Sequence, residues 1–126
     1  MPRSRPLIRA VHPVLASKDV SLTRDFYVEM LGFKAEFADT PSSPTYAGVR
    51  RDEIELHLQW QDASHWVPGQ DRPAYRFLVD DPDALLAEFQ SRGIATDKQA
   101  ISTPWGTREF GLYDPDGNGL HFYRDL

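Results

Sequence analysis

The run Thr103–Asp125, TPWGTREFGLYDPDGNGLHFYRD, constrains the fold more than any other stretch of the chain. Apolar alternation marks strands over Thr107–Asp114 and Gly119–Arg124, with Asp114-Pro115-Asp116-Gly117-Asn118-Gly119 between them. Proline presets one backbone angle and glycine permits positive φ, so the intervening segment reads as a hairpin turn. On the last strand, alternation sends Leu120 and Phe122 to one face, and His121 and Tyr123 to the other. A strand with a potential metal ligand on one face and core on the other is a candidate pocket wall.

Upstream, one plan is read twice. Ile8–Ala16 reads as a strand and Ser17–Asp19 as a helix start. Leu22, Phe26 and Met30 then repeat at four-residue spacing, with Thr23, Tyr27 and Leu31 beside them, and Gly32 ends the helix. Strands are expected at Phe33–Ala38, Tyr46–Arg51 and Glu53–Trp60, with Arg51-Asp52 short enough for a tight hairpin. Gln61–Pro73, with two prolines and a glycine, reads as a linker. Tyr75–Val79 is then a strand, and Asp81-Pro82 opens a helix whose buried stripe is Leu85, Leu86 and Phe89, closed by Gly93. A weak strand at Gln99–Ile101 precedes the closing hairpin. The result is one domain over 1–126: module one at 8–60, linker 61–73 and module two at 74–124. The fold class is α+β, two βαβββ modules sharing a curved mixed sheet whose concave side is the natural cavity.

At 40% hydrophobic with three Trp, five Tyr and seven Phe, the chain can bury a core, which excludes a disordered tail. Without cysteine it has no disulfide framework, thiolate metal site or cysteine nucleophile. No apolar run approaches bilayer length, and Met1–Arg9 lacks an apolar signal region, so no membrane contact and a cytoplasmic location are expected. Net charge is −5, and taking away Arg3, Arg5 and Arg9 leaves −8 on the rest. An acidic body argues against a nucleic-acid partner and suits a cationic small molecule. The three Arg and two Pro of the first nine residues suit a mobile arm. Neither Ser102 nor Thr103 has a context that activates a hydroxyl, and Gly117 and Gly119 belong to a turn rather than a phosphate loop.

Several motifs carry a family resemblance. They are Val14-Leu15-Ala16-Ser17-Lys18-Asp19-Val20, Phe26-Tyr27, Leu31-Gly32-Phe33, Tyr46-Ala47-Gly48-Val49 with Arg51-Asp52, Phe77-Leu78-Val79-Asp80, and the closing PWGTREF…DPDGN…HF. Over residues 10–124 the chain resembles the vicinal-oxygen-chelate superfamily of glyoxalases, extradiol dioxygenases, fosfomycin-modifying enzymes and bleomycin resistance proteins. The YAGV and PWGxREF elements and the short length resemble the bleomycin resistance proteins in particular. That resemblance implies a non-catalytic homodimer that exchanges its first strand and confers antibiotic resistance. It would do so by sequestering a cationic glycopeptide in two clefts between subunits. Aromatic faces would stack on the drug and acidic groups would meet its positive tail. Trp60, Trp66 and Trp105 are the large aromatics available. Trp105 stands beside Gly106, where backbone can approach a ligand. Glu55, His57 and Tyr123 complete the expected ligand-binding set, with Glu53 sharing the Glu55 and His57 face and His65 at the surface.

Metalloenzymes of the superfamily place four ligands on four strands. The resemblance carries those positions to His12, Glu55, Ala74 and His121, so three can coordinate and one holds a methyl group. No cofactor is expected of a bleomycin-type binder. His12, Glu55 and His121 together would suit Zn²⁺, Fe²⁺, Mn²⁺ or Ni²⁺ in a lyase, isomerase or dioxygenase of the same superfamily. His121 can meet His12 and Glu55 only if the two modules, from different subunits, face each other.

Overall fold

Asp19 and Asp81 begin the two helices in the same way. Each has extended backbone and a side-chain oxygen that accepts the amide three residues on, from Leu22 and Ala84. The computed structural model describes residues 5–66 and 73–126; Arg3 of the expected arm and 67–72 of the expected linker lie outside them. Chain order is β1 (Val14–Ser17), α1 (Val20–Glu29), β2 (Lys34–Ala38), β3 (Tyr46–Arg51), β4 (Ile54–Trp60), β5 (Ala74–Leu78), α2 (Pro82–Ser91), β6 (Ile101–Ser102), β7 (Thr107–Tyr113) and β8 (Gly119–Asp125). A single 3₁₀ turn, Ala63–His65, interrupts the described part of the linker.

The strands form two four-stranded mixed sheets of identical plan, β1-β4-β3-β2 and β5-β8-β7-β6. In each, the first strand runs parallel to the last, and the remaining pairs are antiparallel. The duplication expected from sequence is therefore present at the level of topology. The shared sheet is divided, within one chain, into these two, since no ladder joins β1 to β5 among the described residues.

A helix covers one face of each sheet, and the covered faces meet in one core. Leu15, Val49, Leu56 and Leu58 of the first sheet and Phe110, Leu120 and Phe122 of the second pack with Tyr27, Leu86 and Phe89 of the helices. Phe122 stacks on Phe77 and Phe110 at 4.9 and 5.1 Å between ring centres. Among the described residues, no helix covers the opposite face of either sheet.

Two expectations are corrected. The first strand is Val14–Ser17 rather than Ile8–Ala16. Pro6 and Pro13 lack amide donors, and Leu7, Ile8 and Val11 lie exposed with no strand beside them. The face α1 buries is also turned by one residue from the Leu22–Phe26–Met30 stripe. Val20, Thr23 and Tyr27 are buried, while Leu22 is exposed.

The cause of that turn is the DPDGN segment, which bonds to α1. Tyr27 Oη donates to Asp114 Oδ2 at 2.9 Å, and Thr23 Oγ1 donates to Asp116 Oδ2 at 2.5 Å. The Lys18 amide donates to Asp116 Oδ1, and Asn118 Nδ2 donates to the Ala16 carbonyl at 3.0 Å. Gly117 at φ +81 and the 3.0 Å bond from its amide to the Asp114 carbonyl close the turn that presents these groups. Burial raises the Asp114 carboxyl above the ordinary range despite bonds from Asn118, Tyr27 and the Asp116 amide. Burial and the Asp114 charge hold the Tyr27 phenol well above its ordinary pKa, so it remains a donor. The hairpin that reads from sequence as a pocket wall thus also ties module two to module one.

Candidate functional site

On the uncovered face of the first sheet, β3–β4 register sets Gly48 opposite His57 and Arg50 opposite Glu55. Gly48 has a definite reason to lack a side chain. A Cβ there would lie 2.2 Å from the Phe37 ring, so only glycine lets that ring lie across the sheet. Phe37 then meets His57 edge to face at 5.2 Å and stacks with Tyr46 at 6.1 Å. His57 is held at both nitrogens: Nδ1 lies 2.7 Å from Tyr46 Oη and Nε2 lies 2.7 Å from Glu55 Oε2. With Glu55 ionised, the neutral ring that satisfies both partners donates from Nε2 and accepts the tyrosine hydroxyl at Nδ1.

Glu55 Oε1 accepts from Arg50 at 2.8 Å, and Arg50 also pairs with Glu36 at 3.2 Å. His12 lies just ahead of β1, where the Pro13 carbonyl accepts the His57 amide at 2.9 Å. The His12 ring stacks on His57 at 4.9 Å, and its Nε2 is 3.5 Å from Glu55 Oε2. Side-chain exposure is 35% for His12, 16% for Glu55 and 15% for His57, so the cluster is sheltered yet open on one side. The His57 bond, outweighing desolvation and aided by Arg50 and His12, holds the Glu55 carboxyl below its ordinary pKa.

The uncovered face of the second sheet carries His121 opposite Gly111 and Arg76, and Tyr123 opposite Glu109. A Cβ at Gly111 would come 3.3 Å from His121 Nδ1, so the glycine gives that ring its space. The Arg76 guanidinium lies 4.3 Å over the Tyr123 ring and pairs with Glu109 at 3.0 Å. Glu109 also accepts the Thr107 hydroxyl at 2.8 Å. Burial pushes the Glu109 carboxyl up, but Thr107 and Arg76 more than offset it and lower its pKa. A cavity of about 520 Å³ opens here, lined by Lys98, Ile101, Glu109, Gly111, Tyr113 and His121. Ile101, Leu78 and Tyr113 share this face and are 60–74% exposed, a wet apolar surface that calls for a cover. Alternation within β5 against Tyr75 and Phe77, and within β7 against Phe110 and Leu112, is the sequence signal that sets Leu78 and Tyr113 away from the core.

The structure brings together His12, Glu55 and His57 but leaves other expected site residues apart. His121 lies on the other sheet and outside that cluster, and position 74 is alanine. The metalloenzyme ligand set is therefore not assembled within one chain. Trp60 shares the parity of Leu56 and Leu58, so it stands on the face opposite Glu55 and His57. Trp105 is 69% exposed at the tip of the Thr103–Gly106 turn, where Gly106 has φ +89 and open space around it. Glu53 is exposed in the β3–β4 turn, and Trp66 receives the Lys18 ammonium at 4.6 Å over its ring. A further cavity of about 550 Å³ lies between the β3–β4 turn, the end of β5 and the start of α2, on a floor of Phe77, Phe89 and Phe122. None of the ligand-binding or metal residues expected from sequence lines it.

A family model for the Glyoxalase/Bleomycin resistance protein/Dioxygenase superfamily matches residues 9–122, and the chain belongs to that superfamily. Among solved structures it is similar to a bleomycin-binding protein from bleomycin-producing Streptomyces verticillus, complexed with copper(II)-bleomycin. Identity is 32% over 95% of this chain and 100% of that one, with a TM-score of 0.74. It is also similar to a bleomycin resistance determinant encoded on the transposon Tn5, at 25% identity over 94% and 98% of the chains and a TM-score of 0.70. A bleomycin-binding protein complexed with bleomycin shares the fold at a TM-score of 0.77, with 24% identity over 94% of this chain and 100% of that one. No match was found among curated proteins. No helix among the described residues is long and apolar enough to cross a membrane.

Proposed function

We propose that the chain is a non-catalytic cytoplasmic binding protein that sequesters a bleomycin-type cationic glycopeptide in clefts between two copies. The observation that carries this reading is the pair of uncovered sheet faces. Each joins aromatic or imidazole rings to a carboxylate of lowered pKa: Phe37, Tyr46, His57 and Glu55 on one, Tyr113, Tyr123, His121 and Glu109 on the other. Apposing the first sheet of one copy with the second sheet of another would cover Leu78, Ile101 and Tyr113. It would also bring His121 opposite His12 and Glu55. The exposed Leu7, Ile8 and Val11 give the arm an apolar edge with which to exchange between copies. In such a cleft, flat rings stack on heteroaromatic ligand groups while carboxylates meet ammonium groups in a partly water-excluded space. Similarity at 32% identity to a protein complexed with copper(II)-bleomycin supports the ligand class.

Light scattering and calorimetry test the reading together. The expected results are a particle of twice the 14.4 kDa chain mass and saturable binding of metal-free and copper-loaded bleomycin at about one drug per chain, weakened by salt. Trp105→Ala and Tyr123→Ala should weaken binding. A monomer with no saturable heat from either form of the drug rejects it.

A further inference from the structure

We propose that Tyr123 and Glu109 form a cation-binding seat on the uncovered face of the second sheet, which Arg76 occupies in the free chain and yields to a guanidinium or amidinium group of the ligand. This assigns Arg76 as a specificity-determining residue that competes with the ligand for its own site. The inference rests on the antibiotic-binding reading for the identity of the ligand, while the seat itself rests on three side chains of one sheet.

Strand register builds the seat. Antiparallel pairing sets Tyr123 of β8 opposite Glu109 of β7, and parallel pairing sets Arg76 of β5 beside His121. Arg76 therefore reaches across β8: its guanidinium carbon lies 4.3 Å over the Tyr123 ring, and Nη2 lies 3.0 Å from Glu109 Oε2. A flat ring beneath and a carboxylate at the edge are the two things a planar cation seeks. Glu109 is also held without Arg76. The Thr107 hydroxyl donates to Oε2 at 2.8 Å, and Thr103 Oγ1 lies 2.8 Å from Thr107 Oγ1, with both threonines buried. No donor among the described residues bonds to Glu109 Oε1, so that oxygen stays open to a second N–H.

Arg76 is the part of this arrangement that can leave. Its side chain is 43% exposed, and an ion pair at that exposure gains little over the solvated groups while it orders a long side chain. In the strand order β5-β8-β7-β6 the outer edge of β5 has no neighbouring strand among the described residues, so Arg76 has solvent to swing into. Its departure does not strand the carboxylate, because Thr107 stays on Glu109. A planar, weakly hydrated cation replaces Arg76 contact for contact, lying on the ring and forking to both Glu109 oxygens. A compact ammonium keeps the charge but is strongly hydrated and cannot present that fork.

The experiment vacates the seat in the full-length protein with Arg76→Ala and needs no antibiotic at first. Methylguanidinium, followed by the Tyr123 ring protons in NMR, should bind the variant at least about fivefold more tightly than the wild type, and more tightly than methylammonium does. Calorimetry with metal-free bleomycin should then show roughly fivefold tighter binding to Arg76→Ala than to wild type. Arg108→Gln removes the same charge from the helix side of β7, where Arg108 pairs with Asp83, and should change drug affinity less than about twofold. In the wild type, the Arg76 Nε–H resonance should carry the Tyr123 ring-current shift and lose it as drug binds, a readout that stands even if the variant unfolds. Methylguanidinium binding alike to wild type and Arg76→Ala, drug affinity unchanged or weakened by Arg76→Ala, or an Arg76 resonance that drug binding leaves in place overturns the inference. Selective methylguanidinium binding by Arg76→Ala with no drug binding by either protein upholds the seat and rejects the antibiotic as its ligand.

Discussion

Replacing Tyr27 with phenylalanine removes one oxygen atom from the junction between the modules and leaves its ring contacts in place. The ring meets Phe26 and Phe33 edge to face at 5.6 and 5.5 Å, and Tyr27 is fully buried. What is lost is the 2.9 Å donation to Asp114, a carboxylate 5% exposed whose other donors among the described residues are Asn118 and the Asp116 amide. A hydrogen bond to a charged group contributes about 1.5–3 kcal/mol, roughly a 10- to 150-fold change in the folding equilibrium. For a chain of 126 residues, each kcal/mol is worth about 4 °C in Tm, so the variant should melt roughly 6–12 °C lower.

The penalty should depend on pH in a defined direction. Burial raises the Asp114 pKa in the folded state, so the fold favours its protonated form. That contribution to stability is complete below the unfolded pKa and is lost as pH rises through the folded one. Once ionised, Asp114 leans on its donors, and the Tyr27 bond is then charge-assisted. Below the ordinary carboxylate range it becomes a neutral pair worth about 0.5–1.5 kcal/mol. Chemical denaturation of wild type and Tyr27→Phe at pH 7 and pH 3 measures both values. A difference under about 0.5 kcal/mol at pH 7, or a penalty that grows on acidification, refutes the reasoning.

Gly48→Ala should displace the Phe37 ring, cost about 1–3 kcal/mol through overpacking, and abolish nuclear Overhauser contacts between Phe37 and His57. Arg51→Met removes a bidentate pair with Glu88 and a bond to the Leu31 carbonyl; for this partly exposed pair a loss of about 1 kcal/mol is expected in urea denaturation. Asp39 accepts from the Thr45 hydroxyl and from the amides of Thr40, Thr45 and Tyr46, so its carboxyl should titrate at about 2 by carbon NMR. Its contribution to stability should fade as pH falls from the ordinary carboxylate value through that midpoint, and a midpoint near 4 would contradict the capping role.

Local chemistry made much of the fold legible. Asp19 and Asp81 as caps, Gly32 after α1 and alternation along β4 and β8 are set by residues close in sequence, so the two-module plan follows from them. What escaped depends on distant groups. The buried face of α1 turns toward Thr23 and Tyr27 because Asp116 and Asp114 wait there, and no window around α1 contains them. His57 was visible as a neighbour of Glu55 by parity, but parity alone does not separate a pocket wall from a solvated face. Its place beside His12 comes from the parallel pairing of β1 with β4, and its fixed ring comes from Tyr46 across the hairpin. The space over Gly48 that admits Phe37 depends on the β2–β3 register. Trp60 is a different case, 47% exposed at the end of β4. Aromatic character nominated it, while its parity with Leu56 and Leu58 already placed it on the covered face.

The bonds between the DPDGN turn and module one span 87 to 102 residues. During synthesis, α1 leaves the ribosome long before Asp114, Asp116 and Asn118 exist. Until they arrive, the Tyr27 and Thr23 hydroxyls lack the carboxylates to which they donate, Thr23 keeping only the Ser17 hydroxyl as a donor beside it, and water must leave for the core to close. Module one alone therefore contains the side chains of its own buried face but not the acceptors that let that face go dry. Its final packing waits until the chain has grown past Asn118, and a product truncated before Asp114 would keep the first sheet's sequence without the means to seal it.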